Sequence, residues 1–265
     1  MNRNPPPLED LRRAIDAVDD GLLDLVVRRG ELVAAIGRAK TTTDAPIYRP
    51  AREAQIMRRL LARPTDSGEK DRILRIWRAI MAASYERQGG LRIAADPLVE
   101  WEAAIHFCPR ARPAAAGAAE ALKKALGGAV ELAVLPAPSP FGGADWLPPL
   151  IEARRRGAPV FVLGRLPFFA LPGAAASEAL VVGRGIVDPS GDDVTLVAAP
   201  AAAAPDGAAK VCIETGAKGL SLFAHAEYVR PDDPRFGAAG VVWLGAYPRP
   251  LDPSGPRAVE FALRP

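Results

Sequence analysis

Between Pro7 and Lys40 the residues Leu8, Leu11, Ile15, Val18, Leu22, Leu25, Leu32 and Ile36 recur at steps of three and four, with one gap. That period marks one face of a single long helix and commits the N-terminal part of the chain to helix-on-helix packing. The gap is Arg29, which stands where the period places a seam residue. A guanidinium held against apolar neighbours stays charged and calls for an anion. Lys40 follows eleven positions later, about 20° away in phase and about 16 Å along the axis. Two long cationic side chains leaning toward each other can bracket a small dianion. Arg12 precedes Arg29 by seventeen positions, about 25 Å along the same rod. It cannot easily reach a ligand held by Arg29 of its own chain; if it serves such a site, the site is its partner's in an antiparallel dimer.

The 265 residues allow one large domain or two ordinary ones, and a composition 49% hydrophobic and 25% charged is that of a soluble globular protein. The net charge of +3 is small and the arginines are interleaved with Asp and Glu, which gives no electrostatic support to nucleic-acid or membrane-surface binding. Cys108 and Cys212 are too few for a disulfide framework and have no metal-ligand spacing, which fits a reducing compartment. No uncharged apolar run follows the polar, proline-rich Met1 to Pro7. Neither a signal peptide nor a transmembrane helix is therefore expected, and the expected location is cytoplasmic.

Two shorter helices follow the first. Pro50 opens one, with Ile56, Met57, Leu60 and Leu61 as its apolar face, and Pro64 stops it. Asp66 or Ser67 caps the next, whose inner stripe reads Ile73, Trp77, Ile80 or Met81, then Ser84 and Gln88. Its last two members are hydrogen-bonding groups on a face that should be apolar. Singly, an Arg on a helical seam reads as an interhelical ion-pair partner, and an inward Ser or Gln as a group bonding backbone. Jointly, Arg12, Arg29, Lys40 and Arg52 with Glu53, Ser84 and Gln88 place more cation on these faces than internal carboxylates can neutralise. The joint pattern points to a small dianionic ligand.

The segments LRRAIDAVDDGLLDLVVRRGELVAAIGRAK, PIYRPAREAQIMRRL and IMAASYERQ together resemble the all-helical chorismate mutases. The resemblance covers roughly the first ninety residues and implies a three-helix chain in an intertwined homodimer, with chorismate as substrate and no metal or cofactor. It places the family's carboxylate-binding arginines on Arg29 and, across the dimer, Arg12. The lysine that reaches a carboxylate and the ether oxygen falls on Lys40, and the helix-two arginine and glutamate fall on Arg52 and Glu53. Glu53 would meet the ring hydroxyl. The helix-three serine and glutamine fall on Ser84 and Gln88, the latter facing the ether oxygen. One departure is Arg49, at a position before Pro50 that is often acidic in the family.

After Gly89-Gly90 the texture changes. Apolar runs at Leu91 to Ala95, Val130 to Leu135, Val160 to Leu163 and Leu180 to Val182 alternate with helix-like segments at Ala114 to Leu126 and Trp146 to Arg156, the pattern of an α/β layer with partly parallel strands. Val194 to Ala198, Gly219 to Val229, Ala239 to Leu244 and Ala258 to Leu263 read as further strands around one helix near Ala208 to Ala217. The glycines form neither GxGxxG nor a phosphate loop, so nothing supports nucleotide binding. The order resembles a shortened prephenate dehydratase module followed by an ACT-like regulatory one, with VVGR at 181–184 and LGAYPR at 244–249 carrying the likeness. Ser177-Glu178-Ala179 stand where the dehydratase's Thr-Arg-Phe is expected, and HAEYV at 225–229 lacks the effector motif, so this part reads as non-catalytic. His106 and His225 read as structural, and Trp101, Trp146 and Trp243 as core.

The expected architecture is multi-domain: an all-α chorismate mutase domain over 1–90, a shortened dehydratase-like α/β region over 91–185 and an ACT-like α+β region over 186–265. Two other readings stay open. One is an isochorismate pyruvate lyase on the same scaffold; the other is a sensory or binding protein whose helices serve dimerisation alone.

Overall fold

The computed structural model describes residues 6–41, 45–63, 66–107, 114–138, 144–169, 177–212, 219–237 and 240–253. Three helices come first. α1 (Leu8–Thr41) carries Glu9 and Asp10 in its opening turn and Arg38 and Lys40 in its last, each sign at the end that the helix dipole favours. α2 (Pro50–Leu61) opens on Pro50, whose missing N–H costs nothing in a first turn. α3 (Ser67–Arg87) is capped by Asp66, which accepts from the Glu69 N–H at 2.9 Å.

The strands described are β1 (Ile93–Ala95), β2 (Ala114–Ala115), β3 (Leu132–Pro136), β4 (Val160–Leu166), β5 (Ala179–Arg184), β6 (Asp193–Pro200), β7 (Ala209–Cys212), β8 (Leu220–His225) and β9 (Val242–Pro248). They form one mixed sheet in the order β2-β1-β3-β5-β4-β9-β6-β8-β7. β1 is parallel to β2 and β3, and β4 to β9; the remaining neighbours are antiparallel. Strands from 91–185 and from 186–265 therefore meet in this sheet, where β4 touches β9. Helices α4 (Glu100–Phe107), α5 (Ala118–Leu126) and α6 (Leu147–Arg155) are the remaining α-helices among the described residues.

Both faces of the sheet are buried, and the two-residue alternation of the strands divides the core in two. Ala133, Leu135, Leu180 and Val182 pack with Leu122 and Ala125 of α5 and Leu147 and Leu150 of α6. Their neighbours Leu132, Val134, Ala179 and Val181 join the opposite core, which also holds Tyr48, Ala54 and Met57 of the α2 region, Leu74, Met81 and Tyr85 of α3, and Phe107 of α4. The short helices and the sheet thus share one apolar core.

Several expectations are corrected. The apolar stripe of α1 is unburied within this chain, with exposures from 45% at Leu11 to 64% at Leu25. α1 instead approaches α3 along Gly30, Val33 and Gly37. A Cβ at Gly30 would come within 2.8 Å of the Arg87 guanidinium carbon, and one at Gly37 within 2.9 Å of the Gln88 Cα, so the helices meet where side chains are missing. α3 buries Leu74, Arg78, Met81, Ala82, Ser84 and Tyr85, so Met81 and Ser84 of the expected stripe are buried, whereas Ile73, Trp77 and Ile80, one step out of phase with Leu74, Arg78 and Met81, are half-buried. The expected helix near Ala208 to Ala217 holds β7, where pairing with β8 overrides an alanine-rich composition. Residues 213–218 and the expected strand at Ala258 to Leu263 lie outside the described residues. Trp101 is 73% exposed, whereas Trp146 and Trp243 are core.

Candidate active site

Pro50 starts α2 so that Arg52 and Glu53 fall in its first turn, and the glycine contact brings the second half of α1 against the end of α3. Between these elements lies a cavity of about 410 Å³. Six of the seven residues singled out by sequence line it: Arg29 and Lys40 from α1, Arg52 and Glu53 from α2, Ser84 and Gln88 from α3 or its end. Arg12 is elsewhere, exposed near the start of α1 and 3.5 Å from Glu9.

Arg29 is half-buried. Its Nη1 donates to Ser84 Oγ at 2.7 Å and to the Ile80 carbonyl at 3.5 Å, and Ser84 Oγ donates to the same carbonyl at 2.8 Å. Burial lowers the Arg29 pKa, yet a guanidinium remains charged at working pH. Lys40 Nζ donates to the carbonyls of Pro46 at 2.9 Å and Ile47 at 3.5 Å. Its pKa is lowered, first by burial and then by the Arg49 charge, with Glu53 opposing. Gln88 follows the last turn of α3, where its Nε2 donates to the Ser84 carbonyl at 3.1 Å. Its Oε1 is buried and has no hydrogen-bond partner among the described residues. Such an oxygen is costly to bury unless a ligand or water meets it.

Glu53 is anchored from behind. One oxygen accepts from Arg78 Nη1 at 2.7 Å and the other from the Tyr85 hydroxyl, with all three groups buried. Burial and the neighbouring Glu53 charge hold the Tyr85 hydroxyl well above its ordinary pKa, so it donates. A carboxylate has about four lone-pair sites, and Glu53 keeps capacity toward the cavity.

Sequence reasoning missed Arg78 and Asp188, and named Arg49 only as a departure from the family pattern. Arg78 interrupts the stripe Leu74, Met81, Tyr85 just as Arg29 interrupts that of α1; the phase error on α3 hid the same signal. Arg49 and Asp188 line the cavity mouth and form an ion pair 139 positions apart in sequence, a contact with no local signal. His106 and His225 are buried away from this cavity, His106 among the rings of Tyr48, Phe107 and Phe168.

A pocket with cations on two helices and amide and hydroxyl groups on a third can hold a small polycarboxylate in one conformation and donate to an oxygen within it. Among the described residues, no helix is long and apolar enough to cross a membrane. Residues 11–89 match the family model described as chorismate mutase type II. The chain is 28% identical over 148 residues to a bifunctional chorismate mutase/prephenate dehydratase of Stutzerimonas stutzeri, covering 52% of this chain and 40% of that protein. It is 30% identical over 92 residues to the protein of the same name from Pseudomonas aeruginosa, covering 33% and 25%. The T-protein of Haemophilus influenzae is 38% identical over 88 residues, covering 32% and 23%. The aligned stretches thus span two fifths or less of these curated relatives. A solved chain titled "GqqA- a novel type of quorum quenching acylases" aligns over 59% of this chain and 94% of its own at a TM-score of 0.37 and 17% identity, too slight a likeness to establish a shared fold. The segment that matches the chorismate mutase type II model supplies every residue lining this cavity except Asp188.

Proposed function

We propose that the helical cavity binds chorismate and isomerises it to prephenate. The observation that carries this reading is the convergence of Arg29, Lys40, Arg52, Ser84 and Gln88 on one cavity inside the segment that matches the family. The rearrangement is unimolecular and pericyclic. It needs no nucleophile and no obligatory proton transfer, so the protein's work is to hold the reactive chair-like conformer and stabilise charge as the ether bond breaks. Arg29 clamps one carboxylate, with Ser84 fixing the guanidinium. Lys40 and Gln88 donate to the ether oxygen, Gln88 through the amide hydrogen that the Ser84 carbonyl does not take. Arg52 adds a second contact to the substrate, and Glu53 accepts from the ring hydroxyl.

The working unit is a homodimer in which Arg12 of one chain completes the site of the other. Two features support it: the exposed apolar stripe of α1, and an axial separation from Arg29 of about 25 Å. The α/β region is non-catalytic and supports or modulates the helical site. We place the protein in the cytoplasm, in aromatic amino acid biosynthesis; the low cysteine content supports a reducing compartment. The decisive measurement is chorismate disappearance and prephenate formation with the full chain. Salicylate and pyruvate from isochorismate, without prephenate from chorismate, would replace this reading by the lyase one.

A further inference from the structure

Arg49 and Asp188 meet at the cavity mouth, and Asp188 belongs to the α/β region. The segment that carries it is held firmly. The buried Asp193 carboxylate accepts from Ser190 N at 2.8 Å, Ser190 Oγ at 2.6 Å and Gly191 N at 3.1 Å, closing a tight turn. α2 grips the outside of that turn. Arg58 Nη1 donates to the Ser190 carbonyl at 2.7 Å and its Nη2 to the Asp192 carbonyl at 2.9 Å, while Gln55 Nε2 reaches the Pro189 carbonyl at 3.3 Å. The helix that supplies Arg52 and Glu53 to the cavity on one side is therefore clamped, on the other, to the turn that presents Asp188.

Of the two carboxylates lining the cavity, Glu53 is engaged by Arg78, which is not a lining residue. Asp188 is the one paired with a cation that also lines the cavity. We propose that Asp188 is a positioning residue of the helical site: by holding Arg49 at the mouth, it limits the positive charge that Lys40 and a dianionic substrate experience. This rests on the chorismate reading for its substrate, though not for its electrostatics. The charged and titratable groups lining the cavity with Lys40 are Arg29 from α1, Arg49, Arg52 and Glu53 from the α2 side, Tyr85 from α3, and Asp188 from the turn. Arg49 already pushes the Lys40 pKa down. Neutralising Asp188 removes the counter-charge of Arg49 and leaves Glu53 as the carboxylate opposing that push, so Lys40 loses its proton at lower pH; removing Arg49 relieves it.

The test uses the full chain and its Asp188→Asn, Arg49→Ala and double variants, with Asp232→Asn, in an exposed ion pair away from the cavity, as control. Lys40 is titrated by NMR of its side-chain Cε and Nζ, assigned through Lys40→Ala, and the alkaline limb of kcat for chorismate is measured in parallel. In Asp188→Asn both readouts move down by about half a pH unit. In Arg49→Ala both move up, the double variant matches Arg49→Ala, and the control matches wild type. A purely structural role would lower the melting temperature without this sign reversal. An unchanged Lys40 titration in Asp188→Asn, with the fold intact, overturns the inference. A wild-type protein that does not turn over chorismate overturns the proposed reaction instead, and the NMR titration then still decides the role of Asp188.

Discussion

Along α1 the apolar side chains from Leu8 to Leu25 stand in solvent, whereas those of α2 and α3 are sunk in the core that faces the sheet. The two regions have similar amphipathic patterns and different fates. α2 and α3 find their partner within the chain, in β3, β4, β5 and α4. α1 finds it only over its last third, through two glycines and a valine. An exposed stripe of this length on one helix exceeds what a monomer ordinarily leaves open, which is why the stripe supports a second copy as its cover. The short helices are held by the α/β region, and the long helix is left with the face on which the proposed homodimer rests.

The largest expected effect lies on α1, where it reaches the cavity. Arg29→Ala removes a charge-assisted contact in a poorly solvated site, a loss of about 3 to 5 kcal/mol or roughly two to four decades in kcat/KM, with the fold retained. More than a tenth of wild-type activity would remove Arg29 from the site. The sharing of α1 is broken next. Leu22→Glu with Leu25→Glu alters side chains that are 55% and 64% exposed in the single chain, so a monomeric protein would tolerate it; we expect light scattering to fall from dimer mass to monomer mass, with activity lost. Mixing Arg12→Ala with Arg29→Ala chains sharpens the same point. Each alone is inactive, and each heterodimer regains one intact site. No recovery, with heterodimers present, would place the site within one chain.

On the other side of the comparison, Leu74→Ala opens a cavity in the core shared by α3 and the sheet. It should cost about 2 to 5 kcal/mol by denaturant unfolding while leaving the oligomeric state unchanged. Separate unfolding transitions for helices and sheet would contradict the shared core. The smallest effect concerns Gln88→Glu. The amide donates at any pH, whereas the carboxyl donates only while protonated, so activity in this variant is present in acid and falls as pH rises through the carboxyl pKa. A flat profile would remove Gln88 from the ether oxygen.

What the sequence discloses follows from the range of each interaction. Arg29 is legible because a helix converts spacing into phase, and a cation on an apolar stripe stands out. Arg78 carries the same signal and is missed because Ile73, Trp77 and Ile80 offer a competing stripe one residue away. The strands of β3 and β5 are legible as apolar runs bounded by turn residues, while β7 is hidden in alanines whose state is decided by the neighbouring strand. Asp188 and its turn are invisible, since only the fold brings position 188 to position 49.

The glycine contact between α1 and α3 has a consequence for selectivity. At Gly30 the atoms a methyl would meet belong to the end of the Arg87 side chain, which can swing aside; at Gly37 the nearest atom is backbone, the Cα of Gln88, which cannot. Gly37 therefore acts as the stop that sets how far the wall bearing Arg29 and Lys40 stands from the wall bearing Ser84 and Gln88. The calibre of the pocket depends on a hydrogen atom outside it, and a single added carbon would push on Gln88 and retune which ligands fit while every lining side chain keeps its identity.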